Sequence, residues 1–197
     1  MREWNHKSLK AIETSYNGYR FRSRLEARWA VFMDALGVRW EYEPEGFDLG
    51  GAGWYLPDFY LPDQDIYVEI KPDRKYQDYP DHDIWNKTIE LQNQSNKQVV
   101  ILCGTPGPIE LYNENDSYQG FICGDFSYVW CECPDCGAIG IQFDGRSARN
   151  NHSKNCQAMT GDKGYNYDSE RITQAWKASR SARFEHGETP RPSEVDQ

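Results

Sequence analysis

Tyr55-Leu56-Pro57-Asp58-Phe59-Tyr60-Leu61-Pro62-Asp63-Gln64-Asp65-Ile66-Tyr67-Val68-Glu69-Ile70-Lys71 is the stretch whose reading decides the fold. Two runs of period-two alternation flank a Pro-Asp-Gln-Asp turn, the pattern of an antiparallel hairpin. With residues 62–65 as the loop, Leu61 faces Ile66, Phe59 faces Val68 and Pro57 faces Ile70. Successive side chains point to opposite faces of a strand, so these three pairs make one apolar face. The other face carries Tyr60 beside Tyr67 and Asp58 beside Glu69, with Lys71 on the same side. A slip of one residue would turn the apolar set to solvent and part the two carboxylates, so the register is strongly specified. Directly opposed residues have Cβ atoms about 5 Å apart. Two ionised carboxylates that close repel unless a cation lies between them. Oxygen donors suit a hard divalent ion such as Mg²⁺.

Upstream, residues 23–36 have helical periodicity: Leu25, Trp29, Phe32, Met33 and Leu36 form one stripe, and Gly37 is a C-terminal cap. Glu26 lies at the edge of that stripe, where it has two possible roles. Ser23-x-x-Glu26 is a capping box, in which the carboxylate folds back on its own helix start. The same edge position also allows it to reach over the sheet toward Asp58 and Glu69. Arg20, Arg22, Arg24 and Arg28 surround the helix start, interleaved with Tyr19 and Phe21. Arginines interleaved with aromatics suit contact with a nucleic-acid backbone and its bases; a solvated face paired to local acids is the other reading.

Residues 38–43 alternate as a first strand, and a Gly/Glu-rich connection over 44–53 leads into the hairpin. Pro72 ends the second strand, and a polar loop over 73–82 precedes a helix over 83–95. Gln98-Val99-Val100-Ile101-Leu102-Cys103 is a buried strand by its continuous apolar run, and residues 109–112 read as an edge strand. This order predicts an α/β fold with a mixed central β-sheet flanked by helices.

Pro57-Asp58 on one strand and Glu69-Ile70-Lys71 on the next resemble the signature of the PD-(D/E)xK nuclease superfamily. The resemblance spans residues 19–104, and the wider chain is similar to small phage-encoded nucleases of this type. It implies a restriction-endonuclease-like fold and a metal-dependent endonuclease that hydrolyses DNA phosphodiesters with Mg²⁺ or Mn²⁺. Carried over by motif position, Asp58, Glu69 and the Ile70 carbonyl would hold the metal. Glu26 would be the additional acid from an upstream helix, and Lys71 would orient water or stabilise developing charge. The helix after the ExK strand often supplies an auxiliary polar residue, here Lys87. Many such nucleases act as homodimers. The alternative is a catalytically inactive nuclease-fold module that binds DNA or protein.

After residue 112 the composition changes. Cys133-x2-Cys136, fifteen intervening residues, then His152-x3-Cys156 is the spacing of a structural zinc site with four protein ligands. Cys131 competes with Cys133 on spacing alone. A helix opens at Asp168-Ser169, with Ile172, Ala175, Trp176, Ser179 and Ala182 along one face. The expected organisation is a flexible arm over 1–18, a nuclease-like domain over 19–112, and a zinc-binding module with a C-terminal helix over 113–186. A disordered tail over 187–197 follows.

The chain has 197 residues and a net charge of −9, which argues against indiscriminate nucleic-acid binding. The charge is uneven: residues 1–40 hold eight Lys/Arg against four Asp/Glu, and residues 41–130 hold five against seventeen. The acidic excess therefore surrounds the hairpin. The sequence has no apolar run near the ~20 residues that span a bilayer, and its first ten residues lack a signal-peptide core. The expected location is the cytoplasm.

Overall fold

The computed structural model describes residues 11–72, 82–107, 120–122, 126–143, 149–150, 156 and 166–184. The hairpin pairs β6 (Phe59–Leu61) with β7 (Ile66–Lys71) in the expected register: Phe59 opposite Val68, Tyr60 opposite Tyr67, Leu61 opposite Ile66. Asp65 closes the turn in a left-handed conformation (φ 55°), its amide donating to the Leu61 carbonyl at 2.9 Å. Strand pairing stops at Phe59, one pair short of Asp58 and Glu69, because Pro57 has no amide hydrogen to continue a ladder.

The hairpin sits toward one edge of an eight-stranded sheet of order β12-β11-β10-β9-β8-β7-β6-β3. β3 (Glu41–Tyr42) flanks β6. The apolar run forms β8 (Gln98–Cys103), parallel to β7. Parallel neighbours need a crossover, and α2 (His82–Ser95) lies in it. β9 (Gly120–Ile122), β10 (Phe126–Glu132), β11 (Ile139–Phe143) and β12 (Arg149–Asn150) extend the sheet by antiparallel pairing. One sheet therefore runs through the composition change at residue 112.

Side-chain alternation on β7 and β8 divides the interior in two. Ile66, Val68, Ile70, Val100 and Leu102 join the core beneath α1 (Arg24–Leu36) and α3 (Glu170–Ser181), with Trp29, Phe32, Trp130, Ile141, Ile172 and Trp176. Tyr67, Val99, Ile101 and Cys103 point the other way, toward Leu91, Ile84 and Ile89 of α2. Burying each large side chain contributes about 1.5–3 kcal/mol, so the layers hold by packing on both faces of the sheet. The result is an α/β fold with a mixed sheet and three α-helices among the described residues. None of those helices is long and apolar enough to cross a membrane.

Three local readings change. Residues 14–18 are not part of a loose arm. β1 (Thr14–Tyr16) pairs with β2 (Tyr19–Phe21), and Tyr16 and Phe21 are buried because their rings complete the core under α1. The strand expected over 38–43 shortens to β3, since Val38 and Trp40 pack as an irregular segment on that core. The connection over 44–53 contains β4 (Phe47–Asp48), which pairs with β5 (Trp54–Tyr55) around a tight turn where Gly50 and Gly53 take positive φ. The expected edge strand over 109–112, most of the polar loop over 73–82 and the tail over 187–197 lie outside the described residues.

Candidate active site and cysteine cluster

The site forms at the C-terminal end of β7, where the β6 ladder stops. Asp58 fills the gap: its Oδ2 accepts the Ile70 amide hydrogen at 2.7 Å, and its carbonyl accepts from the Glu43 amide at 2.9 Å. Asp58 and Glu69 are 8% and 5% exposed. Glu69 accepts from the Tyr55 hydroxyl at 2.8 Å and pairs with the Lys71 ammonium. Burial pushes the Asp58 carboxyl well above the usual carboxylate range, and the charges of Glu69 and then Glu26 push it further the same way. Two buried acids whose charges oppose each other are thus held in place by neighbouring donors.

Glu26 arrives from the first turn of α1, itself 8% exposed. Its carboxylate accepts from Ser23 Oγ at 2.6 Å, from the Arg22 amide at 3.2 Å and from the Tyr42 hydroxyl at 2.7 Å, while Ser23 Oγ caps the Glu26 amide at 3.1 Å. The capping role is thus present. Burial, and then the Glu26 hydrogen bond, raise the Tyr42 pKa. Glu26 is close enough to act electrostatically on Asp58, but Glu26, Asp58 and Glu69 do not bring their oxygens within 4.8 Å of one another, as the cysteine set described below does with its sulfurs.

A pocket of about 450 Å³ opens on this cluster, lined among others by Asp58, Glu69, Arg22, Trp54, Tyr55 and Lys87. Lys87 reaches it while pairing with Asp83 one turn earlier at 2.7 Å. Tyr55, Tyr42 and Trp54 join the site with no motif to mark them there. A buried tyrosine hydroxyl needs a polar partner, but the one Tyr55 uses, Glu69, lies fourteen residues downstream, where no local spacing marks it. Nothing in the sequence pointed from Tyr42 to Glu26.

The four arginines expected to form one nucleic-acid patch are separated. Arg22 lies at the pocket, its Nε 2.5 Å from Glu43. Arg20 is exposed and pairs with Glu13. Arg28 is a structural clamp, because its Nη1 donates to the carbonyls of Ser179 (2.6 Å) and Arg180 (3.1 Å) at the end of α3, where a cation offsets the helix dipole. Arg24 and Arg28 line a separate hollow with Arg180 and Arg183. Phe21, expected to stack on bases, is fully buried, and Tyr19 packs on Trp40 with ring centroids 5.0 Å apart.

In the cysteine cluster, Sγ of Cys133, Cys136 and Cys156 all lie within 4.8 Å of one another, with Cys133 and Cys156 3.5 Å apart. Tetrahedral thiolates at Zn–S bonds of about 2.3 Å lie about 3.8 Å apart, so the three fit a metal ion and their chemistry is consistent with structural zinc. Gly137 takes φ 69° and donates its amide to the Cys133 carbonyl at 2.9 Å, which folds the knuckle back on itself. Cys131 stays outside the set, its Sγ directed at the Gly140 carbonyl at 3.7 Å. The expected fourth ligand, His152, lies outside the described residues. Arg171 braces the knuckle from α3, donating to the Gly137 carbonyl at 2.7 Å.

Comparison with protein-family models, with curated proteins and with solved structures returned no significant match.

Proposed function

We propose that the protein is a divalent-cation-dependent endonuclease of the PD-(D/E)xK type that hydrolyses phosphodiester bonds in DNA, on a restriction-endonuclease-like fold. The carrying observation is the convergence of Asp58, Glu69 and Lys71 at one end of the sheet, both acids buried and lining a common pocket. Asp58 and Glu69, with the Ile70 carbonyl, are the residues that would hold Mg²⁺ or Mn²⁺. The cation would supply Lewis acidity toward the phosphodiester. Lys71, held against Glu69, carries a positive charge into the site and stabilises negative charge that develops on the reacting phosphate. Arg22 and Lys87 bring two more cations to the pocket rim to hold flanking phosphates. Glu26 supports the acid pair from α1, and Tyr42 fixes its orientation.

The test is nicking of plasmid DNA by purified protein in Mg²⁺ and in Mn²⁺, with Asp58→Ala alongside. Metal-dependent nicking that the variant lacks supports the reading; an inert wild type on double-stranded, single-stranded and branched DNA overturns it.

One observation favours the second reading, a catalytically inactive binding module on the same fold. Both Glu26 oxygens are already engaged by Ser23, Arg22 and Tyr42. In that reading the acid is a cap only, and metal binding at the site is absent.

A further inference from the structure

Trp54 is 72% exposed, and it lines the same pocket as Asp58 and Glu69. Its position follows from the β4–β5 hairpin. Alternation along β5 turns Tyr55 inward to Glu69 and Trp54 outward. Asp48 pairs across the ladder from it, and Gly46 lies near the indole, where an added Cβ would come 3.9 Å from the Trp54 ring. A lone exposed aromatic is ordinary on a protein surface. This one shares its pocket with two cationic side chains, Arg22 and Lys87, each paired to an acid of its own, and with a buried acid pair.

We infer that Trp54 is a stacking platform for an unpaired nucleobase next to the scissile phosphate, which would lie at the cation that Asp58 and Glu69 would hold, so that the substrate is DNA with a single-stranded nucleotide at the cleavage position. This rests on the nuclease reading for the identity of the phosphate site. In a duplex each base face is covered by its neighbours, and only an unstacked base offers a face to an aromatic side chain. The pocket, at about 450 Å³, is in the size range of a site for one small-molecule-sized group, such as a single nucleobase. Arg22 and Lys87 supply charge for the phosphates on each side of that nucleotide, which position the strand without reading its sequence.

The experiment is fluorescence anisotropy with a fluorescein-labelled single-stranded oligonucleotide and the same sequence as a blunt duplex. Ca²⁺ replaces Mg²⁺, and wild type, Trp54→Ala and Trp54→Phe are compared. Wild type is expected to bind the single strand more tightly than the duplex. Trp54→Ala should weaken single-strand binding by roughly 5- to 100-fold and leave duplex binding unchanged, and Trp54→Phe should restore most of the loss. Because the side chain is exposed, these variants keep the core intact, which circular dichroism checks. Equal weakening on both DNAs, no weakening on either, or a wild type without single-strand preference overturns the inference. Cleavage in Mg²⁺ reads the underlying claim separately. Asp58-dependent cleavage that is indifferent to Trp54 rejects the stacking role and keeps the nuclease. Trp54-dependent single-strand binding without cleavage does the reverse.

Discussion

Asp58 accepts the Ile70 amide hydrogen with its side chain, at 2.7 Å, at the position where the strand ladder runs out. The carboxylate is thereby fixed beside Glu69 in a buried place where two negative charges oppose each other. Asp58→Asn keeps an oxygen acceptor for Ile70 and removes one charge. In Mg²⁺-free buffer at neutral pH, with no chelator to strip the cysteine cluster, this variant should be more stable than wild type by about 0.5–2 kcal/mol. For a chain of this size each kcal/mol raises Tm by roughly 2–4 °C. Thermal melts check it, and a wild type at least as stable as the variant opposes it.

The same pair sets a pH dependence. The folded-state pKa of Asp58 is raised, chiefly by burial and then by Glu69. Between the ordinary carboxylate range and that raised value the folded state holds a proton that the unfolded state has lost. The stability linked to Asp58 is therefore full at acid pH and lost as pH rises through the folded pKa. Wild-type Tm in Mg²⁺-free buffer should show this fall, and Asp58→Asn should show a smaller one.

Glu26 carries two roles that one substitution separates. Glu26→Gln retains an oxygen for Ser23, Arg22 or Tyr42 and removes the charge near Asp58. The expected result is a folded protein with Tm near wild type and DNA cleavage reduced at least about 100-fold, the scale of losing one preorganised electrostatic group. Full cleavage by Glu26→Gln would leave Glu26 as a helix cap alone.

Arg28 and Arg20 should part in their effects on stability. Arg28 makes two charge-assisted hydrogen bonds to the end of α3, and such bonds contribute about 1.5–3 kcal/mol. Arg20 makes an exposed ion pair with Glu13, a class worth about 0–1 kcal/mol. Urea denaturation should therefore show Arg28→Ala strongly destabilised and Arg20→Ala close to wild type.

The hairpin was readable because its signals agreed: alternation, turn residues and a register that makes one face apolar. β8 and α1 were equally clear, with boundaries set by a continuous apolar run and by Ser23 and Gly37. β1, β4 and β5 were not. Strands of two or three residues carry too little periodicity to register, and their pairing depends on Tyr16 and Tyr55 finding places in cores built from distant segments. The separate surroundings of the four arginines were not legible for a related reason. Closeness in sequence does not say which face a side chain takes, and Arg28 finds its partners about 150 residues away. The hairpin register put Asp58, Glu69 and Lys71 on one face and only the resemblance pointed to Lys87, whereas neither pointed to the tyrosines that hold Glu26 and Glu69.

The cysteine geometry predicts close to one equivalent of Zn²⁺ per chain by elemental analysis. Cys136→Ser and His152→Ala should each lower the content and the Tm, since structural zinc contributes directly to folding. Cys131→Ser should leave the content unchanged, because its sulfur lies outside the set. Equal loss from Cys131→Ser would assign the ligands differently.

The most direct measurement is the single-turnover rate of DNA cleavage in Mg²⁺ for wild type and Lys71→Ala, together with DNA binding in Ca²⁺ for both. A nuclease site in which Lys71 stabilises the reacting phosphate requires a metal-dependent rate for wild type, a fall of at least about 100-fold for Lys71→Ala and similar binding by the two proteins. Equal rates, or no metal-dependent cleavage by wild type, would contradict it.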